Sequence, residues 1–148
     1  MTDQSSSQPD WRVYVTDPAE LIERHHILLI GSIRAEWVAG IAGLTEDNLT
    51  IVLTQPRLQY VRSKTDGRIR FLDVARRAVL DPDEVHGDRH PDNAIFYKRL
   101  GPRGYLKVVV WLQREKSDRQ HSIGDFYLRD ADRVERARER WLIWCKEQ

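Results

Sequence analysis

The sequence predicts one domain of mixed helices and strands, with helices packed on a sheet built around a hairpin. Three observations predict it. At 148 residues the chain can bury one real core, whereas a second independent domain would be short of buried area. Ala94 to Arg114 reads as two strands and a tight loop: Tyr105 to Leu112 is dense in β-branched and aromatic residues, and Gly101, Pro102 and Gly104 interrupt the pattern where the chain must reverse. Asp130 to Gln148 carries Val134, Ala137, Trp141 and Trp144 along one helical stripe, with Arg133, Arg136, Glu139 and Arg140 elsewhere, and is expected to pack on the sheet.

The remaining elements follow in order. Met1 to Asp10 is polar and acidic with a serine run; it is expected to be disordered, and the domain to occupy 11–148. Trp11 to Val15 is a candidate strand, and Asp17-Pro18 opens a short helix to about Arg24, with Asp as the cap and Pro at the first helical position. His25 to Ile33 holds an apolar run fit for a buried strand, interrupted by Gly31. Arg34 to Gly43 predicts a helix burying Trp37, Val38 and Ile41. Asn48 to Leu53 predicts a strand, and Thr54 caps a helix with Pro56 in its first turn, Leu58 and Val61 inward, and Asp66-Gly67 at its end.

Phe71, Val74, Ala75 and Ala78 repeat at helical spacing and predict a helix from Arg68 to Leu80, which Asp81-Pro82 stops. Glu84 to Gly87 predicts a short strand, and Asp88 to Asn93 a polar loop before the hairpin. Glu115 to Gln120 is a second loop, leading into His121 to Arg129 as a strand.

Charge is unevenly placed although the formal net charge is only +1. Residues 1–50 hold 8 acids against 3 bases, while 57–77 and 98–119 each hold 7 bases against 2 acids. Such blocks either focus a field on an anionic partner such as nucleic acid or are the solvated faces of a helix and a hairpin. No apolar run approaches the ~20 residues of a spanning helix, and the start lacks the basic and apolar regions of a secretory signal. A cytoplasmic protein without membrane partners is expected. Cys145 is the only cysteine, which rules out an internal disulfide and a Cys-based zinc site, and it is expected to be packed as an apolar residue.

The hairpin is where chemistry concentrates. If Gly101 to Gly104 is the loop, Leu100 faces Tyr105, Lys98 faces Lys107 and Phe96 faces Val109. Ile95, Tyr97, Leu106, Val108, Val110 and Leu112 then form an apolar face, leaving Lys98, Tyr105, Lys107, Val109 and Trp111 opposite. Two facing lysines repel, which a bound phosphate offsets; alternatively both splay into water, or the register differs by one residue. Trp111 and Tyr105 supply a stacking surface for single-stranded nucleic acid unless the last helix covers them. His121 and Ser122 come near this sheet, and a histidine there can act as general acid or base.

No Gly-rich phosphate loop, Walker-type lysine, nucleophile elbow or HExxH occurs. His25 and His26, if on a strand, point to opposite faces, and His86 and His90 lack helical spacing, so no metal or other cofactor is expected.

Four segments, IGSI at 30–33, TIVLTQPRLQYV at 50–61, VLDPDEV at 79–85 and FYKRLGPRGYLKVVV at 96–110, stand in a recognisable order. Together they resemble the phage-associated barnase, EndoU, colicin and RelE-like nuclease families. That resemblance implies an α+β fold with helices on one face of an antiparallel sheet, and metal-independent RNA cleavage on the open face. Such cleavage needs a base for the 2′-hydroxyl, an acid for the leaving oxygen and cations for the phosphorane. Where the families commonly carry a His and then a His-Pro pair around the first helix, this chain has Tyr60 and Ser63-Lys64-Thr65. Their closing motif is altered to His121-Ser122-Ile123-Gly124.

The expectation is therefore a ribonuclease-like hydrolase of toxin or phage type. Lys98 and Lys107 hold phosphate, His121 or Tyr60 moves protons, Arg57 or Arg62 assists, and Tyr105 and Trp111 stack. RNA and an antitoxin or other protein are the expected partners. The alternative is a catalytically degenerate module that binds RNA or a protein.

Overall fold

The computed structural model describes residues 12–41, 49–113 and 121–146. Its strands are Val13–Val15 (β1), His26–Ile33 (β2), Leu49–Thr54 (β3), Glu84–His86 (β4), Asn93–Gly101 (β5), Gly104–Trp111 (β6), His121–Asp130 (β7) and Leu142–Cys145 (β8). The α-helices are Gln55–Arg62 (α1), Leu72–Leu80 (α2) and Ala131–Trp141 (α3). All eight strands form one sheet in the order β1-β2-β3-β7-β6-β5-β4-β8.

The architecture is α+β with a mixed sheet. β1 runs parallel to β2, and β3 parallel to β7; the other pairings are antiparallel. This corrects the expected antiparallel sheet. A parallel pair needs a long crossover, and α1, α2 and the β4–β6 meander supply one between β3 and β7.

On one face α2 lies across β2, β5 and β6, burying Ala75, Ala78 and Val79. Its two alanines let the helix approach Phe96, Leu106, Val108, Val110, Ile123 and Phe126, all fully buried in the main core. α1 starts at Thr54, whose hydroxyl accepts from the Arg57 amide, and buries Leu58 and Val61 in the same core. Arg57, Tyr60 and Lys64, spaced i, i+3, i+7, are left on another side of this segment.

α3 does not share that face, which corrects the expectation of helices on one side only. It covers part of the other face, over β4, β6 and β7. There Val134 completes a second small core with Ile95, Tyr97 and Tyr105.

The hairpin register explains this second core. Gly101 pairs with Gly104, as expected from the loop, but the register then shifts: Arg99 faces Tyr105, Lys98 faces Leu106, Tyr97 faces Lys107 and Phe96 faces Val108. Leu100 is bulged, and a one-residue slip turns every side chain of a strand to the other face. The expected pairing of Lys98 with Lys107 is thereby corrected. Ala94 and Phe96 join the main core, whereas Ile95, Tyr97 and Arg99 share a face with Tyr105, Lys107, Val109 and Trp111.

Several other elements differ from expectation. Pro18–Glu20 and Ala35–Val38 are 3-10 turns; Asp17 caps the first, and Trp37, Val38 and Ile41 are buried as anticipated. The helix expected over 68–80 is a 3-10 turn, Arg68–Phe71, followed by α2. The terminal helix stops at Trp141, and Leu142-Ile143-Trp144, rich in β-forming residues, pairs with β4. Without it β4 would be a bare edge. Trp144 instead packs on Trp37, ring centroids 5.5 Å apart, and Cys145 is exposed rather than packed. The expectations for 1–10 and 115–120 lie outside the described residues. Among the described residues no helix is long and apolar enough to cross a membrane.

A buried charge cluster ties α3 to the sheet. Arg138 Nε donates to Glu84 Oε1 at 3.0 Å, its Nη2 donates to Oε2, and His86 Nε2 lies 2.9 Å from Oε1. Burial alone would raise the Glu84 carboxyl, but His86 and Arg138 overcome it and hold the pKa at about 2, against an ordinary 4.5. A depressed acid stabilises the fold fully above its unfolded value and loses that contribution as pH falls toward the folded one. Unfolding free energy is therefore expected to drop as pH is lowered from about 5 toward 2. Glu84→Gln should flatten this dependence in denaturant titrations and cost about 1–3 kcal/mol at neutral pH.

Candidate nucleic-acid interface

The face of β5–β7 not filled by α2 is only partly covered by α3, and it carries the polar and aromatic side chains. Alternation along β7 places Asp125, Tyr127 and Arg129 there, opposite Val109, Lys107 and Tyr105 of β6. β3 pairs with β7 only at Ile51–His121 and Val52–Ser122. Beyond that point α1 and the Arg68–Phe71 turn pack beside β7, making a wall of basic residues.

Tyr127 is the centre of this face. The guanidinium carbons of Arg68 and Arg129 lie 5.0 and 5.2 Å from its ring centroid, and the ammonium of Lys107 lies at 5.5 Å. Arg68 is held from two sides. Its Nη1 donates to both oxygens of Asp125 at 3.0 Å, and its Nε and Nη2 donate to Asp66. Its hydrogen bonds to Asp66, and then to Asp125, raise its pKa against the opposing effect of burial, so it stays cationic. Among the described residues neither Lys107 nor Arg129 has a carboxylate within 4.0 Å. Burial pushes the neighbouring Tyr97 hydroxyl up to about 12, so it remains a neutral group at the edge of this site.

A second cluster adjoins the first through β7. Between Val109 and Val110 the β6–β7 register shifts, leaving Gly124 as an extra residue. The Trp111 indole lies directly over it: a Cβ on Gly124 would fall 2.4 Å from the ring. The Arg57 guanidinium lies 4.5 Å from the Trp111 centroid and 4.1 Å from that of Tyr60, while its Nε donates to the Gly124 carbonyl at 3.0 Å. Lys64 places its ammonium 4.2 Å from the Tyr60 centroid.

Of the residues named from sequence, Lys107, Arg57, Tyr60 and Trp111 fall on or beside one face. The others named from sequence do not join them. Lys98 is on the opposite face of β5, where its Nζ donates to the Asp81 carbonyl at 2.7 Å and to its carboxylate at 3.3 Å. His121 is buried on the side of β7 that carries Ile123, and its Nδ1 accepts from the Gln113 amide at 2.9 Å. Tyr105 is on the proposed face but buried beneath α3, edge-on to Tyr97. Arg62 is exposed in the last turn of α1.

Sequence reasoning missed Arg68, Asp125, Tyr127 and Arg129. The alternation of Asp125, Tyr127 and Arg129 with Phe126 and Leu128 was the available signal for three of them.

No protein-family model, curated protein or solved structure matches the chain. The geometry alone carries the functional argument: a shallow cationic and aromatic surface suited to an anion that bears rings.

Gly124→Ala should force Trp111 off its seat. The expected result is a loss of about 1–3 kcal/mol in denaturant unfolding, with a changed near-ultraviolet circular dichroism signal from the indole.

Proposed function

We propose that this chain is a metal-independent ribonuclease-like domain of the barnase, EndoU, colicin and RelE-like type. It acts on RNA at the Tyr127 face. The observation that carries the reading is the gathering of Arg68, Lys107 and Arg129 around the one tyrosine ring. This set takes the place of the histidines that these families commonly carry, in the manner of relatives that work with Tyr, Lys and Arg.

In this reading Arg68 and Arg129 hold the scissile phosphate and offset the charge that grows on the phosphorane. Tyr127 and Lys107 carry protons between the 2′-hydroxyl and the leaving 5′-oxygen. Asp125 orients Arg68, and among the described residues no carboxylate pairs with Arg129, which is available to the phosphate, or with Lys107. Lys98 has no part in it, because Asp81 occupies its ammonium group.

One observation favours a second reading. His121, the expected proton carrier, is buried on the other side of β7, which suits a module that binds RNA without cutting it.

Purified protein should cleave unstructured RNA in the presence of EDTA. Lys107→Ala and Tyr127→Phe should each lower the rate by roughly 10²- to 10³-fold, whereas Lys98→Ala should stay within a fewfold of the parent. RNA that is bound but left intact at every pH would establish the binding module instead. RNA that is neither bound nor cut would exclude both readings.

A further inference from the structure

We infer that the Trp111–Arg57–Tyr60–Lys64 cluster is a stacking subsite for an unpaired nucleobase, so that the ligand of this face is single-stranded RNA rather than duplex. The inference rests on the reading of the chain as RNA-acting and adds the strand preference.

The Arg57 guanidinium ends on a backbone carbonyl, that of Gly124, which positions its charge without neutralising it. Among the described residues no carboxylate lies within 4.0 Å of Arg57 or Lys64. Two cations that no described carboxylate pairs therefore lie against two aromatic rings.

Those rings remain accessible. Tyr60 is 38% exposed and Trp111 36%, although both are large enough for burial to be favourable. Tyr105, by contrast, was covered as soon as an apolar partner was at hand. Stacking on an aromatic ring beside a cation is how single-stranded nucleic acids are held without reading sequence. In this arrangement a base stacks on Tyr60 in place of the Lys64 ammonium, and the flexible lysine stem turns to a phosphate. Duplex bases are stacked on each other and offer no free ring to Tyr60.

Position supports the same ligand. Trp111 is four residues from Lys107 along β6, roughly 13 Å at strand spacing. Asp125, which anchors Arg68, follows Gly124 directly. A short extended strand can therefore span from the stacking cluster to the Tyr127 cations on the same face.

The test uses 2′-O-methyl RNA, which lacks the attacking hydroxyl and so reports binding without turnover. Fluorescence anisotropy is measured for one sequence as a single strand and annealed to its complement. The single strand should bind more tightly. Tyr60→Ala should weaken its binding roughly five- to hundredfold, with little change for the duplex, and Tyr60→Phe should retain the affinity because the ring survives. Tyr60 is exposed, so the fold should tolerate both changes, and circular dichroism checks this. Equal or tighter duplex binding would overturn the strand preference, and wild-type affinity in Tyr60→Ala would overturn the stacking subsite; either leaves the RNA reading in place. Failure of the parent protein to bind either form would overturn both.

Discussion

The register of β5 against β6 is the constraint on which the rest depends. Leu100 takes up one residue between the Gly101–Gly104 pair and the body of the ladder. Every side chain of β5 is assigned its face by that slip. Because of it Phe96 enters the main core, and Ile95 and Tyr97 make the floor on which Val134 of α3 sits. Because of it also, Lys98 is taken away from Lys107 and given to Asp81. Were Leu100 paired regularly with Tyr105 instead, Lys98 and Lys107 would face each other across the ladder and α3 would have no apolar seat.

The exposed face then divides into a covered end and an open one. At the covered end, Glu84 and Arg138 bring opposite charges together under α3, with His86 hydrogen-bonded to the same carboxylate, where burial makes a partner obligatory. At the open end, Arg57, Lys107 and Arg129 rest against rings and a carbonyl. Acidic partners neutralise charge, whereas aromatic faces and carbonyls position it and leave it intact. The same chemical group, a guanidinium, therefore serves as a fastener in Arg138 and as a standing charge in Arg57.

Local signals were legible in the sequence. Thr54 and Pro56 announce α1, the Gly-Pro-Arg-Gly loop announces the hairpin, and the spacing of Ala75 and Ala78 announces α2; each depends on neighbours a few residues away. Features set by distant contacts were not legible. The bulge at Leu100 leaves no residue signature, since leucine is at home in a regular strand. The switch from α3 to β8 is decided by the open edge of β4, far away in sequence. Lys107, Trp111, Tyr60 and Arg57 could be singled out as candidates because they lie in conspicuous basic and aromatic runs. Arg68 was not singled out, because only the folded chain brings it to Asp125 and Tyr127.

The parallel pairing of β3 with β7 has a consequence for the order of assembly. Arg57, Tyr60, Lys64 and Arg68 come from the segment after β3, whereas Trp111, Gly124, Asp125 and Tyr127 come from β6 and β7. They meet only once β7 docks between β3 and β6, a contact distant in sequence and slow to form by loop-closure entropy. The cationic and aromatic face is therefore absent until β7 takes its place between β3 and β6. The same strand both joins the two halves of the sheet and brings the two groups of side chains together.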